Sequence, residues 1–269
     1  MKPASTRRGS RSHSNAGPKT PDGLDQVYGV HALQSLLDRG EAPRELWVQQ
    51  GAGSRLKELI ALAQTHGARV KEQPRDLLDQ LTQGAAHQGV VAFCPLLTPE
   101  GEESLWLKLR AWQASTPPLL LILDGVTDVH NFGACLRSAD AAGAHGVIVA
   151  KDKAAPLNAT VRKVACGAAE VVPVYQVTNL ARTLAKLKDA GVWITGTAGE
   201  AEASLFDINM TGPTALVMGA EGKGMRRLTR EACDNLAKLP MAGEVSSLNV
   251  SVATGICLFE AVRQRQLAS

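Results

Sequence analysis

The chain has 269 residues, 45% of them hydrophobic, enough for about two domains with buried cores, which excludes global disorder. No uninterrupted apolar run exceeds five residues, so the sequence holds neither a bilayer-spanning helix nor the apolar stretch of a secretion signal. Five scattered cysteines, Cys94, Cys135, Cys166, Cys233 and Cys257, form no C-x-x-C pair. That pattern argues against a disulfide framework or a zinc knuckle and fits buried thiols in a reducing cytoplasm.

Charge is unevenly spread. Residues 1–23 hold five bases (Lys2, Arg7, Arg8, Arg11, Lys19) against Asp22, a net of +4, which leaves the rest of the chain at −1. This arm has no Leu, Ile, Val or Phe, so it buries too little to offset the entropy of ordering and reads as a flexible basic tail. Two roles stand open for it: contact with a phosphate backbone, or solubilisation without a specific partner.

Residues 24–95 read as a small α/β unit. A helix is predicted over 29–39, with Val30, Leu33, Leu36 and Leu37 on one face, followed by a strand over 45–49. Ser54 is the expected N-cap of the next helix, which carries Leu56, Leu59, Ile60 and Ala63. A strand near Arg69, a helix around 77–81 and a strand over 89–94 complete the unit. Residues 96–117 are expected to link two domains: Pro95, Pro99 and Gly101 open the segment and Thr116-Pro117-Pro118 closes it. Between them runs a helix whose stripe of Leu105, Trp106, Leu109 and Trp112 is suited to covering a domain surface.

Residues 118–269 alternate strand and helix. Strands are predicted over 119–123, 146–150, 171–175, 192–196, 215–218 and 238–241. Helices are predicted near 132–142, 158–168, 178–190 and 222–232, with a last one over 248–264. The strands are almost continuously apolar, as in a parallel, doubly wound sheet with both faces covered. In such sheets ligands gather at the carboxyl ends of strands, and three ends here carry polar, glycine-rich loops: 124–133, 219–225 and 239–251. Singly, each has a plain structural reading. Asn131 is a candidate helix cap, Arg137 a candidate solvated charge, and Gly219, Gly222 and Gly224 suit a tight turn. Two nucleotide-binding patterns are absent: Lys223 is followed by Gly224 rather than Ser or Thr, and no G-x-G-x-x-G opens the first βα unit. Along the last helix Ser247, Ser251, Thr254 and Gly255 leave a face without bulk, suited to close helix packing, a dimer seam or a flat ligand.

Together the loops resemble the three motifs of the SpoU (TrmH-type) RNA ribose 2'-O-methyltransferases over roughly residues 119–263. Asn131, Gly133 and Arg137 represent the first motif, G-A-E-G-K-G at 219–224 the second and S-S-L-N-V-S-V-A at 246–253 the third. Y-G-V-H-A-L at 28–33 and H-Q-G at 87–89 resemble the ribosomal-protein-like RNA-binding domain (L30e/L7Ae type) that precedes the catalytic part in one branch. A-C-L-R-S-A-D-A-A-G at 134–143 adds to a similarity with the branch that methylates a guanosine in the peptidyl-transferase loop of 23S rRNA.

The resemblance implies a SPOUT-type parallel sheet tied in a deep trefoil knot, a homodimer, and S-adenosylmethionine held in the knot. Gly219, Leu239 and Leu248, with Thr197, Ala198 and Gly199, would hold that cofactor, largely through main chain. No metal is implied, and no cluster of metal ligands is evident. Arg137 would activate the ribose hydroxyl, either by handling its proton or by positioning it and stabilising alkoxide charge. Asn131, Glu221, Ser247 and Asn249 would orient Arg137, the ribose and the loops, Glu221 alternatively anchoring its own loop. Lys223, Arg226, Arg227 and Arg230 recur at spacings of three or four, a basic stripe for RNA on the predicted helix 222–232. A tRNA target and a non-catalytic RNA-binding factor are the competing readings; the amino-terminal domain weighs against the first and the intact motif residues against the second.

Overall fold

The computed structural model describes residues 20–268 except Arg39 and Ala52, and leaves the side chain of Arg55 undescribed. Nearly all of the basic tail expected over 1–23 therefore lies outside the described residues. Two sheets organise the rest.

The first sheet has the order β1-β4-β2-β3, built from β1 (Leu24–Tyr28), β2 (Glu45–Gln49), β3 (Arg69–Gln73) and β4 (Val90–Pro95). Strand β4 pairs antiparallel with β1 and β2, while β2 and β3 run parallel. Helices α1 (Val30–Asp38) and α2 (Ser54–Thr65) bury Leu33, Leu36, Leu37, Leu59 and Ala63 against one face. Helix α3 (Arg75–Leu81) and Phe93 form a smaller core on the other. Strand β1 was not anticipated, because Leu24-Asp25-Gln26-Val27-Tyr28 has too few apolar residues to stand out. Ser54 is not the N-cap of α2: Gly53 holds that place without a side-chain bond, and Ser54 is already helical.

The second sheet is wholly parallel, in the order β7-β6-β5-β10-β8-β11-β9. Its strands are β5 (Leu119–Asp124), β6 (Gly146–Ala150), β7 (Val174–Val177), β8 (Trp193–Thr197), β9 (Ala203–Ser204), β10 (Thr214–Gly219) and β11 (Asn235–Lys238). Both faces are covered, one by α5 (Val129–Ala141), α6 (Ala159–Ala165), α7 (Ala168–Val171) and α10 (Val250–Ala268). The other is covered by α4 (Glu102–Gln113) and α8 (Leu180–Asp189). The segment expected to link the domains is packed rather than free. Leu105 and Leu109 of α4 are fully buried in the second sheet's core, and Glu100 exchanges backbone bonds with β7.

Besides the unanticipated β9 and the break of the helix predicted near 158–168 into α6 and α7 at left-handed Cys166, three elements depart from the predicted spans, each for a local reason. Strand β7 begins at Val174, not Val171, because Pro173 interrupts the apolar run and Val171 closes the short helix α7. Strand β11 ends at Lys238, where the predicted one began; Pro240, lacking an N–H, cannot donate to a ladder. The helix predicted over 222–232 shrinks to α9 (Arg227–Glu231), since Gly222 and Gly224 adopt φ of +73° and +65°.

The domains meet at α6. Arg162, buried and ion-paired with Glu170, donates to the Pro95 carbonyl at 3.0 Å, and Lys163 donates to the Tyr28 hydroxyl at 3.2 Å. Among the described residues no helix is long and apolar enough to cross a membrane.

Candidate active site

At the carboxyl end of β10 the chain turns back on itself. Ala220 and Gly224 exchange both backbone bonds, at 3.1 and 2.8 Å, bringing the loop across its own strand. A Cβ on Gly219 would lie 2.3 Å from the backbone of Gly224 and Met225, so only glycine fits. Asp124, at the end of the neighbouring β5 and 1% exposed, fixes the far side of this turn. It accepts from Arg226 N at 2.7 Å and Nε at 2.6 Å.

Motif one supplies α5. Its N-cap is Asp128, whose carboxylate accepts from Asn131 N at 2.8 Å, so Asn131 is not the cap it was a candidate for. The Asn131 side chain is thereby free to reach motif two, where Nδ2 donates to Glu221 Oε1 at 3.1 Å. Gly133 serves packing: a Cβ there would come within 2.7 Å of Val164 on α6.

Motif three caps α10. Asn249 Oδ1 accepts from Ser251 N at 2.9 Å, while its Nδ2 donates to Asn131 Oδ1 at 2.9 Å and to Glu221 Oε1 at 2.7 Å. Asn131, Glu221 and Asn249 thus close a triangle that joins all three loops. Beyond the cap, the small face of α10 packs within the chain: Thr254 is fully buried and touches Cys135 of α5 at 3.4 Å.

Beside this triangle lies a cavity of about 650 Å3. Of the residues expected to hold a cofactor, Thr197, Ala198, Gly199, Gly219, Leu239 and Leu248 all line it, as do Glu221, Ser247 and Asn249. Its walls are the backbone-rich ends of β8, β10 and β11. Ala198 N is already spent on the Ala237 carbonyl, and Thr197 Oγ1 donates to the Val217 carbonyl at 3.2 Å. Met218, Lys238 and Met241 also face the cavity and were not anticipated. The misplaced end of β11 hid Lys238, whereas an apolar strand-end Met carries no signal distinct from core.

Arg137 is exposed on α5 and is not among the residues lining the cavity; its Nη1 contacts Cys166 Sγ at 3.6 Å. The basic stripe does not form on a helix. Lys223 sits in the β10 turn and Arg226 caps α9 while paired with buried Asp124. Arg227 and Arg230 pair with Glu231 and Glu200. The short helix breaks the period, and the nearby acids take up the charge. Among the described residues no group of three or more His, Cys, Asp or Glu gathers where a metal could be held. Burial pushes the Cys135 thiol up to about 11 and the Cys257 thiol up to about 12, so neither is a ready thiolate nucleophile.

Comparison with known proteins agrees with this geometry. Residues 118–259 match the model of the SpoU rRNA Methylase family, and residues 26–99 match that of RNA 2'-O ribose methyltransferase substrate binding. The 23S rRNA (guanosine-2'-O-)-methyltransferase RlmB of Pseudomonas putida is 57% identical over 246 residues, covering 91% of this chain and 98% of that protein. Its Escherichia coli K12 counterpart is 56% identical over 243 residues, covering 90% and 99%. The structure of the SpoU methyltransferase AviRb from Streptomyces viridochromogenes in complex with the cofactor AdoMet superimposes with a TM-score of 0.76 at 28% identity, covering 91% of each chain. The chain belongs to the SpoU rRNA Methylase family.

Proposed function

We propose that this protein transfers a methyl group from S-adenosylmethionine to the ribose 2'-hydroxyl of a guanosine in 23S rRNA, in the loop at the peptidyl-transferase centre. The observation that carries the reading is the Asn131–Glu221–Asn249 triangle at the edge of a cavity walled by strand ends. The names of the RlmB relatives support the substrate.

The cavity suits the cofactor. Its volume falls in the range of small-molecule sites, and the missing side chain of Gly219 lets the 220–225 turn fold back against β10 as one wall of the cavity. Gly219, Leu239 and Leu248 would hold the adenosyl part by main chain, with Thr197, Ala198 and Gly199 opposite. When bound, the cofactor would supply an electrophilic methyl on a positively charged sulfur whose leaving group is a neutral thioether.

The protein's own work is then alignment and proton removal. A guanidinium keeps its charge and is a poor base, so Arg137 serves as a clamp for the 2'-hydroxyl and adjacent phosphate and steadies the developing alkoxide. A phosphate oxygen of the substrate takes the proton. Glu221 holds Asn131 and Asn249 in register, and Ser247 contacts the ribose. Lys223, the stripe residue without an ion pair among the described residues, engages the RNA backbone; Arg227 and Arg230 add surface charge.

The same reading carries a homodimer, a knotted carboxyl-terminal domain, an L30e/L7Ae-type first domain, a cytoplasmic location and a basic tail that meets RNA. Exposed Val252, Ile256 and Phe259 along one side of α10 support the dimer. The placement of β10 between β5 and β8, with β11 beyond β8, supports the knot. Equilibrium dialysis with labelled S-adenosylmethionine tests the whole: wild type and Arg137→Ala should both bind, and only wild type should methylate 23S rRNA. No uptake by the wild-type protein would remove the proposal.

A further inference from the structure

Between the two domains lies a cleft of about 380 Å3 that the methyl-transfer reading does not use. Tyr28, His31 and Gln88 line it from the first domain, and Lys163, Cys166 and Gly167 from the second. We propose that this cleft seats one unstacked nucleotide of the RNA strand, a neighbour of the methylated guanosine, and so sets which guanosine reaches the site. The proposal rests on the methyltransferase reading above.

Three observations point to a nucleotide. The first is backbone held in an unfavourable form on both walls. Among the described residues four non-glycine positions have positive φ, and two of them line the cleft from opposite domains: Gln88 at 52° and Cys166 at 51°. Such backbone persists only where its surroundings enforce it, and it concentrates at binding sites. The enforcement is visible at Gln88. Buried His87 accepts from Gly89 N at 3.0 Å and bonds Asp79 at 2.9 Å, while Gln88 Oε1 accepts from Val30 N at 2.9 Å.

The second is the match of chemistry. Val27, Ala32 and Leu36 give the cleft an apolar interior, suited to the faces of a base. At its rim the Lys163 ammonium lies 4.5 Å from the centre of the Tyr28 ring, a cation placed for the phosphate attached to that base. The Gln26 amide oxygen beside the cleft is buried without a hydrogen-bond partner, an acceptor that a base N–H can use once the side chain turns. The third is continuity. Cys166, which lines the cleft, is the contact of Arg137 at 3.6 Å, so the cleft opens one side chain away from the group assigned to the ribose.

The test uses the full chain and an RNA stem-loop carrying the peptidyl-transferase-centre loop of 23S rRNA, made with a single abasic residue at each position flanking the target. Affinity is read by fluorescence anisotropy for wild type, Ala86→Trp, which adds bulk at the cleft, and Lys163→Ala. One abasic position should weaken wild-type binding by roughly ten-fold, as loss of one base contact does. Ala86→Trp should weaken the intact RNA to a similar degree and lose nothing more at that position, with S-adenosylmethionine affinity unchanged. Lys163→Ala should weaken binding and flatten its salt dependence. If Ala86→Trp loses cofactor binding through misfolding, His31→Trp on the exposed surface of α1 gives the same readout. Losses that multiply at every abasic position, or a filled cleft that binds like wild type, would overturn the proposal. A wild-type protein that binds the stem-loop without methylating it would instead refute the methyltransferase reading and leave the cleft's coupling measurable.

Discussion

Glu221 and Asn249, 28 positions apart, are joined by a bond of 2.7 Å from the asparagine amide to the carboxylate. The same carboxylate oxygen takes the amide of Asn131 at 3.1 Å, so a single acceptor ties motif one, motif two and motif three. Glu221→Ala removes that acceptor from two amides at once. Each charged hydrogen bond contributes about 1.5–3 kcal/mol when shielded and less at this exposed position. Calorimetry should show S-adenosylmethionine affinity lowered by about ten-fold or more, with Asn249→Asp, which sets a second carboxylate against Glu221, behaving alike. Unchanged affinity in both would mean the triangle does not shape the pocket.

Gly219→Ala should be harsher. A Cβ at 2.3 Å from two backbone atoms cannot be relieved by turning a side chain, so the loop must shift. Overpacking of this kind costs about 1–3 kcal/mol. Thermal denaturation should register the loss, and dialysis should find no cofactor binding.

Arg226 and Lys223 separate stability from RNA binding. Arg226 satisfies buried Asp124, so Arg226→Ala strands a carboxylate and should lower the melting temperature while leaving the salt slope of RNA binding nearly intact. Lys223→Ala should do the reverse, reducing that slope by about one unit of charge without lowering stability. A matched effect of both variants on the slope would restore the basic stripe.

His145 gives the fold a pH response. Its Nδ1 accepts from Leu119 N at 3.2 Å, which leaves Nε2 to carry the proton toward Thr116 Oγ1 at 3.2 Å. Burial, reinforced by the charge of Arg265, holds its pKa below the ordinary 6.5. The unfolded chain therefore takes up a proton before the folded one does. This contribution to stability is fully present above about pH 6.5 and is lost as pH falls toward the depressed folded value. Melting temperatures from pH 8 to pH 5 should fall more for wild type than for His145→Gln; equal slopes would assign the acid sensitivity elsewhere.

The parallel sheet was legible because Leu119–Leu123 and Gly146–Ala150 are continuous apolar runs, and such strands fit only between two layers of helix. The second loop was legible because Gly219 ends β10 and Glu221 follows at once, and the third because a polar stretch runs from the end of β11 to Asn249 at the head of the last helix. What escaped depended on partners distant in sequence. Arg226 reads as one charge among several until Asp124, 102 positions earlier, is seen to claim it. Asn131 reads as a cap until Asp128 is seen to accept its backbone N–H, which leaves its side chain to reach Glu221, 90 positions later. Lys238 was lost to a strand boundary misplaced by Pro240, and Arg137, expected beside the cofactor, lies outside the cavity of its own chain.

The most direct test of the central claim is the identity of the product. Purified protein, S-adenosylmethionine with a labelled methyl group and unmodified 23S rRNA should yield, after complete digestion and mass spectrometry, label only in 2'-O-methylguanosine. Label on a base, or none in the RNA while the cofactor is bound, would contradict it.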